Sequence, residues 1–404
     1  MHILYNFSIY LMSTFVAFTS LFKRKMRLRH QGSEEVFDIL ERSIDKTQRY
    51  VWFHAASLGE FEQGRPMIER LRRAQPEQKI VLTFFSPSGY EIRKNYPEVD
   101  LVCYLPFDRP QQVKRFLDCV NPEKAIFIKY EFWANYLLEL KRRQIPTYII
   151  SAIFRPNQLF FKKYGRFFLN LLNSFTMIFV QDDFSKELLN QFGIKHVTVG
   201  DDTRFDRVGD IAKAANVLPI AEAFGKGADV LVAGSSWEAD EELLIRYVNA
   251  NKERKLIIAP HEISEERITG ICEKLRCTFV LYTQTTPEEA AKARCLVVDT
   301  IGILSSLYRY GQVAYIGGGF GAGIHNTLEA AVWNVPVVFG PSYQKFREAR
   351  DLIACGGGYS VGSYRQMEDR INGLFIDPTA ATAAGTYVRS HLGATDFIYK
   401  QIFQ

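Results

Sequence analysis

The sequence predicts an α/β fold in which two doubly wound parallel sheets follow one another along the chain. The first observation is length, because 404 residues exceed what one hydrophobic core usually organises. The second is that short apolar segments alternate with helical ones, a pattern typical of parallel sheets. The third is a run of glycines within residues 317–323, between an apolar segment and a helical one. We therefore expect one sheet in each half of the chain.

The amino-terminal segment, residues 3–22, contains no charged residue and is followed at once by the basic sequence KRKMRLR. About 20 apolar residues suffice to cross a bilayer as a helix, and the basic cluster places the following chain on the cytoplasmic side. Because Asn, Ser and Thr dilute the segment, a helix that lies in the membrane interface is the alternative. Residues 1–29 are therefore predicted to form a membrane anchor.

Residues 30–207 are predicted to form the first domain. Ser57, Gly59 and Glu60 follow its first strand, at a strand end of the kind where α/β proteins place their chemistry. Glu60 is either a functional carboxylate close to a substrate or a first-turn residue favoured by the helix dipole. The predicted strands of this domain lie near residues 50–55, 80–85, 101–105, 125–128, 147–151, 177–180 and 197–200.

Residues 151–179 interrupt this alternation, because aromatic and leucine side chains are interleaved there with basic ones. A core helix with a solvated basic face explains the pattern. A surface that meets anionic lipid explains it as well, and the amino-terminal anchor favours this second interpretation. The basic residues of interest are Arg155, Lys162, Lys163 and Arg166.

Residues 208–228 are predicted to be a linker, residues 229–378 a second domain, and residues 379–404 a helical end that packs back on the first domain. Backbone amides of the glycine run and the start of the following helix are typical of a phosphate site. Glu329, one turn further, is then placed to bind a ribose diol. The alternative is that the glycines allow tight packing and that Glu329 is solvated. The predicted strands lie near residues 229–234, 255–259, 279–282, 296–298, 313–316 and 335–340.

Other polar residues follow strands of the second domain. Ser235 and Ser236 are either anion contacts or helix caps. His261 is a structural histidine or, at a strand end, a phosphate or sugar contact. Lys345 and Arg347 follow the turn after the last predicted strand and are candidates for anion contact.

The net charge and the cysteine spacing argue against two kinds of site, one for nucleic acid and one for zinc. The net charge of +5 is too small for a chain of this size to indicate nucleic acid. The six cysteines are scattered without CxxC pairs, which indicates reduced thiols in a cytosolic compartment and no zinc site.

Five motifs occur in a fixed order: HAASLGE at residues 54–60, TFFSPSG at 83–89, EFWAN at 131–135, RFD at 204–206, and GG at 318–319 with HNTLEAA at 325–331. In this order they resemble the motifs of the 3-deoxy-D-manno-octulosonic acid (Kdo) transferases, which are GT-B glycosyltransferases with two Rossmann-like domains facing a cleft. The resemblance covers nearly the whole chain after the anchor.

The resemblance implies a metal-independent, inverting transfer of Kdo from CMP-Kdo to a lipid A precursor (lipid IVA), in lipopolysaccharide core biosynthesis, at the cytoplasmic side of the cell inner membrane and without a cofactor. Glu60 falls on the family's general base, a role for which a carboxylate near an alcohol acceptor is suited. The implied donor-binding residues are Ser235, Ser236, His261, Gly318, Gly319, His325, Asn326, Glu329, Lys345 and Arg347. The implied acceptor-binding residues are Ser57, Gly59, Ser86, Glu131, Arg155, Lys162, Lys163 and Arg166.

The sequence departs from the family pattern in three places. An arginine expected before His261 is missing, Lys129 stands where an acidic residue is expected, and QKFR at residues 344–347 replaces an Asn-rich element. Lys345 or Arg347 is predicted to compensate for the missing arginine. The alternatives to Kdo transfer are another GT-B enzyme, either a UDP-sugar glycosyltransferase or a sugar-nucleotide epimerase, and a non-catalytic membrane-bound scaffold that binds lipid.

Overall fold

The computed structural model describes residues 1–404, which divide into two compact units: residues 1–207 with 393–404, and residues 208–392. Each unit is built on one seven-stranded sheet in which every pair of neighbouring strands is parallel. Two doubly wound parallel sheets are the fold class that the sequence predicts, and this prediction is confirmed.

The sheet of the first unit has the strand order β3-β2-β1-β4-β5-β6-β7. Its strands are β1 Tyr50–Ala55, β2 Lys79–Phe84, β3 Leu101–Tyr104, β4 Pro122–Ile128, β5 Thr147–Ala152, β6 Met177–Val180 and β7 Val197–Val199. The helices are α1 His2–Thr19, α2 Arg24–Ser43, α3 Leu58–Ala74, α4 Pro87–Arg93, α5 Pro110–Val120, α6 Ala134–Arg142, α7 Arg166–Leu171, α8 Asp183–Gln191 and α9 Arg204–Ala214, the last of which continues into the second unit.

Apolar side chains cover both faces of this sheet. Every residue of β1 is buried, and successive side chains alternate between two clusters. Trp52 packs with Phe116 of α5 and Tyr136 of α6 on one face, whereas Phe53 joins a cluster that contains Phe61 of α3 on the other. Strands buried on both faces read as continuous apolar runs, which explains why they could be recognised in the sequence.

The sheet of the second unit has the order β10-β11-β9-β8-β12-β13-β14. Its strands are β8 Asp229–Ser236, β9 Arg254–Pro260, β10 Phe279–Leu281, β11 Cys295–Val297, β12 Val313–Ile316, β13 Val337–Phe339 and β14 Gly358–Ser360. Its helices are α10 Pro219–Gly225, α11 Glu238–Ala250, α12 Glu265–Lys274, α13 Pro287–Lys292, α14 Leu304–Leu307, α15 Leu328–Ala331, α16 Arg347–Cys355, α17 Tyr364–Leu374 and α18 Pro378–Ser390. Strand β14 was not predicted.

Each sheet reverses its winding direction beside its first strand. The chain proceeds from β1 to β2 and β3 on one side and then returns to place β4 on the other side of β1. In the same way β9 lies on one side of β8 and β12 on the other. Open α/β sheets bind ligands at the carboxyl ends of the strands that flank such a reversal. The ends of β1 and β4, and of β8 and β12, are therefore the places to look for function.

The carboxy-terminal residues do not act as one element. Helix α18 packs against α15 and α16 in the second unit. The last helix, α19 (Ala394–Phe403), belongs to the first unit, where it packs against α3 and buries Ile398. The predicted return to the first domain thus involves α19, and the predicted segment 379–404 divides after α18.

Residues 151–179 do not form the single amphipathic stretch that the interleaved pattern indicates. They contain the end of β5, three short 3-10 turns and the six-residue helix α7. Phe154 and Phe160 are buried in the core of the first unit, so its aromatic residues serve largely as core side chains. Tyr164 and Leu159 remain exposed beside the basic residues.

No single helix is both long and apolar enough to cross a membrane. Helices α1 and α2 reach the required length and apolar composition only as a pair, and the chain bends by 119° between them. Helix α1 lies along the first unit and buries Ile9, Ser13 and Val16. Seven large apolar side chains of this helix are exposed, together with the polar residues His2, Ser8 and Thr14, and they are Ile3, Leu4, Phe7, Tyr10, Leu11, Phe15 and Phe18. The predicted anchor is therefore a helix with one docked face and one exposed apolar face.

A buried carboxylate holds α1 to this unit. Asp108 accepts hydrogen bonds from Tyr5 Oη at 2.6 Å and from the amides of Asn135 at 3.0 Å and Tyr136 at 2.9 Å. Those two amides belong to the first turn of α6, so one carboxylate caps α6 and binds α1. Burial raises the pKa of Asp108 to about 7.

We predict that Asp108→Ala lowers the free energy of unfolding by about 2–3 kcal/mol, because three buried donors lose their acceptor. Tyr5→Phe removes only one of these bonds and is expected to cost about 1 kcal/mol. Urea unfolding of the two variants measures both values. Equal stability of Asp108→Ala and the unmodified protein would contradict this role.

Candidate functional site

The carboxyl ends of β1 and β4 bring together two of the predicted acidic residues. Glu60 lies in the first turn of α3, directly after β1, and its Oε2 accepts a hydrogen bond from the Ala56 amide at 2.8 Å. Glu131 follows β4 and is 8% exposed. Both carboxylates therefore lie at the winding reversal of the first sheet, where the topology predicts a site.

Glu131 is held in a buried network. Its Oε2 accepts from Trp133 Nε1 at 2.6 Å and lies 2.9 Å from His54 Nε2. Trp133 Nε1 also lies 3.3 Å from His54 Nε2, so the three side chains are in mutual contact. His54 Nδ1 lies 2.8 Å from Thr83 Oγ1, so the network continues into β2. Glu131 thus has the partners that a buried carboxylate requires.

Glu60 has a different environment. Its pKa is raised to about 7, first by burial and then by the negative charge of Glu131, although the Ala56 and Ser57 amides and the charge of Lys129 act in the opposite direction. A carboxylate with a pKa close to neutral accepts a proton at physiological pH more readily than an ordinary glutamate does.

Two further predicted residues belong to this edge. Ser57 is the N-cap residue of α3 and makes no side-chain cap bond, and the amide of Ser86 donates to the Ala56 carbonyl at 2.7 Å. The loops after β1 and β2 are thereby joined. Gly59 is exposed in the first turn of α3. The predicted basic residues Arg155, Lys162, Lys163 and Arg166 are all exposed in the segment after β5.

The second edge lies at the ends of β8 and β12. Ser235 adopts a left-handed conformation with φ of 52°. Ser236 is buried, and its hydroxyl donates to Glu241 at 3.2 Å, so this side chain does not face the edge as predicted. Neither serine caps α11. Its N-cap residue is Trp237, whose amide donates to Asp240 at 3.0 Å.

The glycine loop after β12 is fixed by Asp240. The amide of Gly318 donates to Asp240 Oδ2 at 2.8 Å, and Tyr315 Oη donates to Oδ1 at 2.8 Å. The Gly318 amide is therefore engaged within the protein, which corrects its predicted contact with an anion. The amide of Gly319 makes no such bond and remains available as a donor. A Cβ atom at Gly319 would collide with the backbone of Gly340, so close packing also requires this glycine.

The helix predicted to follow this loop is short. Helix α15 has four residues and begins at Leu328, five positions after Gly323. A helix of one turn adds little dipole to a phosphate site. Nearby, Glu329 accepts from Ser305 Oγ at 2.6 Å and from Asn326 Nδ2 at 3.0 Å. The predicted ribose contacts Asn326 and Glu329 thus bind each other.

Three aromatic rings form a stack at this edge. The rings of Trp237 and His261 are 4.7 Å apart with an interplanar angle of 27°, and those of His261 and His325 are 4.5 Å apart with an angle of 28°. Trp237 Nε1 donates to His325 Nε2 at 3.1 Å. His261 and His325, both predicted to bind the donor, are therefore brought together by a tryptophan that the sequence analysis did not assign.

The predicted cations after β13 differ in their surroundings. Lys345 is exposed, and Arg347 Nε binds Asp351 Oδ2 at 3.2 Å within α16. The amide of Ser342 donates to the Gly319 carbonyl at 2.9 Å, which joins their loop to the glycine loop. Compensation for the missing arginine by Lys345 or Arg347 stays a prediction.

Sequence reasoning did not assign three residues that organise these edges. His54 is the first residue of the motif HAASLGE, and its position near the end of a strand is the sequence feature that could have identified it. Trp237 and Asp240 lie in a segment that reads as an ordinary acidic helix start. The contacts of Asp240 with Tyr315 and Gly318 join segments more than 70 positions apart. Local spacing gives no sign of such contacts.

Comparison with known proteins agrees with the motifs. Residues 27–207 match the family model described as 3-deoxy-D-manno-octulosonic-acid transferase (kdotransferase). A 3-deoxy-D-manno-octulosonic acid transferase of Aquifex aeolicus is 27% identical over 351 residues, which cover 84% of this chain and 91% of that protein. One from Haemophilus influenzae is 27% identical over 342 residues, with coverage of 79% and 77%.

Solved structures agree on the fold. The UDP-GlcNAc 2-epimerase of Neisseria meningitidis, bound to UDP-GlcNAc, has a TM-score of 0.61 at 13% identity and covers 87% of this chain and 99% of its own. MurG of Acinetobacter baumannii has a TM-score of 0.56 at 12% identity, with coverage of 88% and 99%. At these identities the likeness shows the GT-B fold alone. The family model over residues 27–207 and the curated relatives together show that this chain is similar to the Kdo transferases over most of its length.

Proposed function

We propose that this protein transfers Kdo from CMP-Kdo to a lipid A precursor, lipid IVA, with inversion at the anomeric carbon and without a metal ion. The observation that carries the proposal is the half-buried Glu60 carboxylate at the end of β1, with its pKa raised to about 7. It lies within the residues that match the Kdo transferase family model. The first unit is then the acceptor side and the second unit the donor side.

Glu60 acts as the general base in this proposal. The attacking hydroxyl of the acceptor loses its proton as the new glycosidic bond forms, and Glu60 takes that proton. A base whose pKa is close to the working pH is about half ionised and still binds a proton well. Glu131 contributes indirectly, because its negative charge helps to raise the pKa of Glu60.

The donor side stabilises the leaving group. When the bond from the anomeric carbon to the phosphate oxygen breaks, its electron pair goes to CMP, which gains negative charge but needs no proton. Preorganised N–H donors stabilise such a charge. The Gly319 amide, Ser235 and the two histidines at the ends of β8, β9 and β12 are the groups we assign to this role.

We infer that the protein acts at the cytoplasmic side of the inner membrane and lies on it by α1. The exposed apolar face of α1 suits insertion into the interface, and the exposed basic residues that follow suit anionic headgroups. Phe167 and Phe168 of α7 pack against Tyr5 of α1. The exposed Lys162 and Lys163, just before α7, are therefore assigned to the phosphorylated acceptor.

We predict that Glu60→Gln lowers kcat about 10²- to 10⁴-fold, because the acceptor hydroxyl loses its base. The Michaelis constant for CMP-Kdo is expected to stay unchanged, since Glu60 belongs to the acceptor side. Mass spectrometry of lipid IVA incubated with CMP-Kdo, with and without EDTA, measures transfer. The matched control is Glu77→Gln, which changes an exposed glutamate just after α3. A preference for UDP-sugars in a donor panel would replace the proposal with the alternative GT-B activities.

The pH dependence gives a separate test. Because the pKa of Glu60 is raised to about 7, activity is expected to fall as the pH drops below about 7 and the base becomes protonated. Glu131→Gln removes a negative neighbour, so the pKa of Glu60 is expected to fall and the acid limb of kcat/KM to move to lower pH. If the acid limb of kcat/KM does not move in Glu131→Gln, a group other than Glu60 must be responsible for it.

For the membrane, we predict that the double variant Leu11→Glu/Phe15→Glu binds lipid vesicles at least about tenfold more weakly, because both side chains lose apolar burial. Vesicles that contain anionic lipid, separated by flotation, provide the measurement. Phe397→Glu, at an exposed apolar position of α19, serves as the control. Equal flotation of all three proteins would exclude α1 as the membrane contact.

A further inference from the structure

The ring stack of Trp237, His261 and His325 is built from three separate strand ends. Trp237 follows β8, His261 follows β9, and His325 follows the glycine loop after β12. These strands are neighbours at the winding reversal of the second sheet. Trp237 is 39% exposed and His261 is exposed, so the stack is accessible to a ligand.

The hydrogen bond within the stack fixes the protonation of His325. The indole N–H of Trp237 only donates, so His325 Nε2 accepts and carries no proton. The neutral tautomer with the proton on Nδ1 is therefore the one that this contact stabilises. Because a protonated ring has no acceptor, His325 gains a second proton only if it gives up the bond to Trp237.

The charged groups around His325 come from two elements. Asp240, in the first turn of α11, is the neighbouring carboxylate, and His261 after β9 is the second imidazole. Burial and His261 lower the pKa of His325, while Asp240 raises it. Asp240 already accepts from Trp237, Gly318 and Tyr315. The carboxylate oxygens of Asp240 are thus already occupied by backbone and hydroxyl donors.

We propose that the ring stack is a proton-coupled anion site, in which binding of the donor's phosphate draws one proton from solvent onto His325. The ring then leaves Trp237 and donates Nε2–H to a phosphate oxygen. During transfer the phosphodiester becomes a monoester and gains a negative charge, which the imidazolium stabilises. The proton returns to solvent when CMP dissociates. This inference rests on the proposed use of a CMP-linked donor.

Calorimetry with CMP tests the proton balance. At pH 8 the phosphate of CMP is already ionised, since its second pKa is about 6. Titrations in Tris and in HEPES, which differ in ionisation enthalpy, are expected to give different observed heats that correspond to uptake of up to about one proton per CMP. Binding with identical heats in both buffers would overturn the proton-coupled site and leave the proposed donor intact. Absence of any CMP binding would overturn the proposed function itself.

Variants assign the proton to His325. His325→Gln keeps an oxygen that accepts from Trp237 but cannot become cationic, so uptake is expected to vanish and CMP to bind about 10- to 100-fold more weakly. His391→Gln, which changes a histidine packed on Tyr387 of α18, is expected to leave both quantities unchanged. Proton uptake that persists in His325→Gln would overturn the assignment.

Trp237→Phe provides a test that does not depend on catalysis or on loss of the histidine. Phenylalanine keeps a ring in the stack but removes the N–H donor, so neutral His325 loses its hydrogen bond. The pKa of His325 is then expected to rise, and proton uptake at pH 7 to fall because more of the ring is charged beforehand. The ring Cε1–H signal, followed by NMR through a pH titration, reports this shift. An unchanged titration would show that the indole does not control the ring.

Discussion

The reversal of winding beside β1 and beside β8 is the constraint on which the rest of the structure depends. Where the connections leave in opposite directions, no crossover covers the strand ends, and backbone and side chains there remain accessible. Elsewhere both faces of the first sheet are sealed by apolar clusters. In each unit, the strand ends at the winding reversal are therefore where polar functional groups can meet a ligand. Glu60 occupies it in the first, and the ring stack with the glycine loop occupies it in the second.

Within each edge, the acids differ in how completely they are satisfied. Glu131 has His54 and Trp133 as partners, and Asp240 has one hydroxyl and two amides. Buried carboxylates with such partners hold loops in place, because removing a partner is costly. Glu60 has backbone amides at one side and a negative neighbour, so its charge is stabilised less well. This difference is the reason why we propose Glu60, and not Glu131 or Asp240, as the carboxylate that exchanges a proton.

Sequence reasoning recovers most of the fold because buried parallel strands are apolar on both faces. It identifies thirteen of the fourteen strands, within a few residues of the observed ends. It misses β14 (Gly358–Ser360), since glycines before a tyrosine and a serine carry no apolar pattern. It reads residues 151–179 as one amphipathic stretch because charge and aromatic residues alternate there. The backbone instead turns repeatedly, and Phe154 points into the core.

The candidate site is predicted less completely, for a physical reason. Strand ends can be read locally, so Glu60, His261 and the glycine loop are found from the sequence. The bond from Asp240 to the Gly318 amide depends on the neighbouring positions of β8 and β12 in the sheet. The same holds for the indole that meets His325. A motif identifies which residues are near a ligand, whereas sheet order decides which of their donors are already engaged.

The two titratable groups, Glu60 and His325, are expected to carry opposite charges during the reaction. Glu60 holds its proton up to a pH of about 7, whereas His325 loses its second proton at a lower pH than an ordinary histidine. Without ligand, raising the pH therefore prepares the base and leaves the ring neutral. A bound phosphate favours the imidazolium, so His325 regains a proton only in the loaded enzyme. In kcat/KM the acid limb then belongs to Glu60 of the free enzyme, and in kcat an alkaline limb belongs to His325 of the donor complex. One enzyme can thus use an ionised Glu60 and a protonated His325 at the same pH, because donor binding changes the protonation of His325 only.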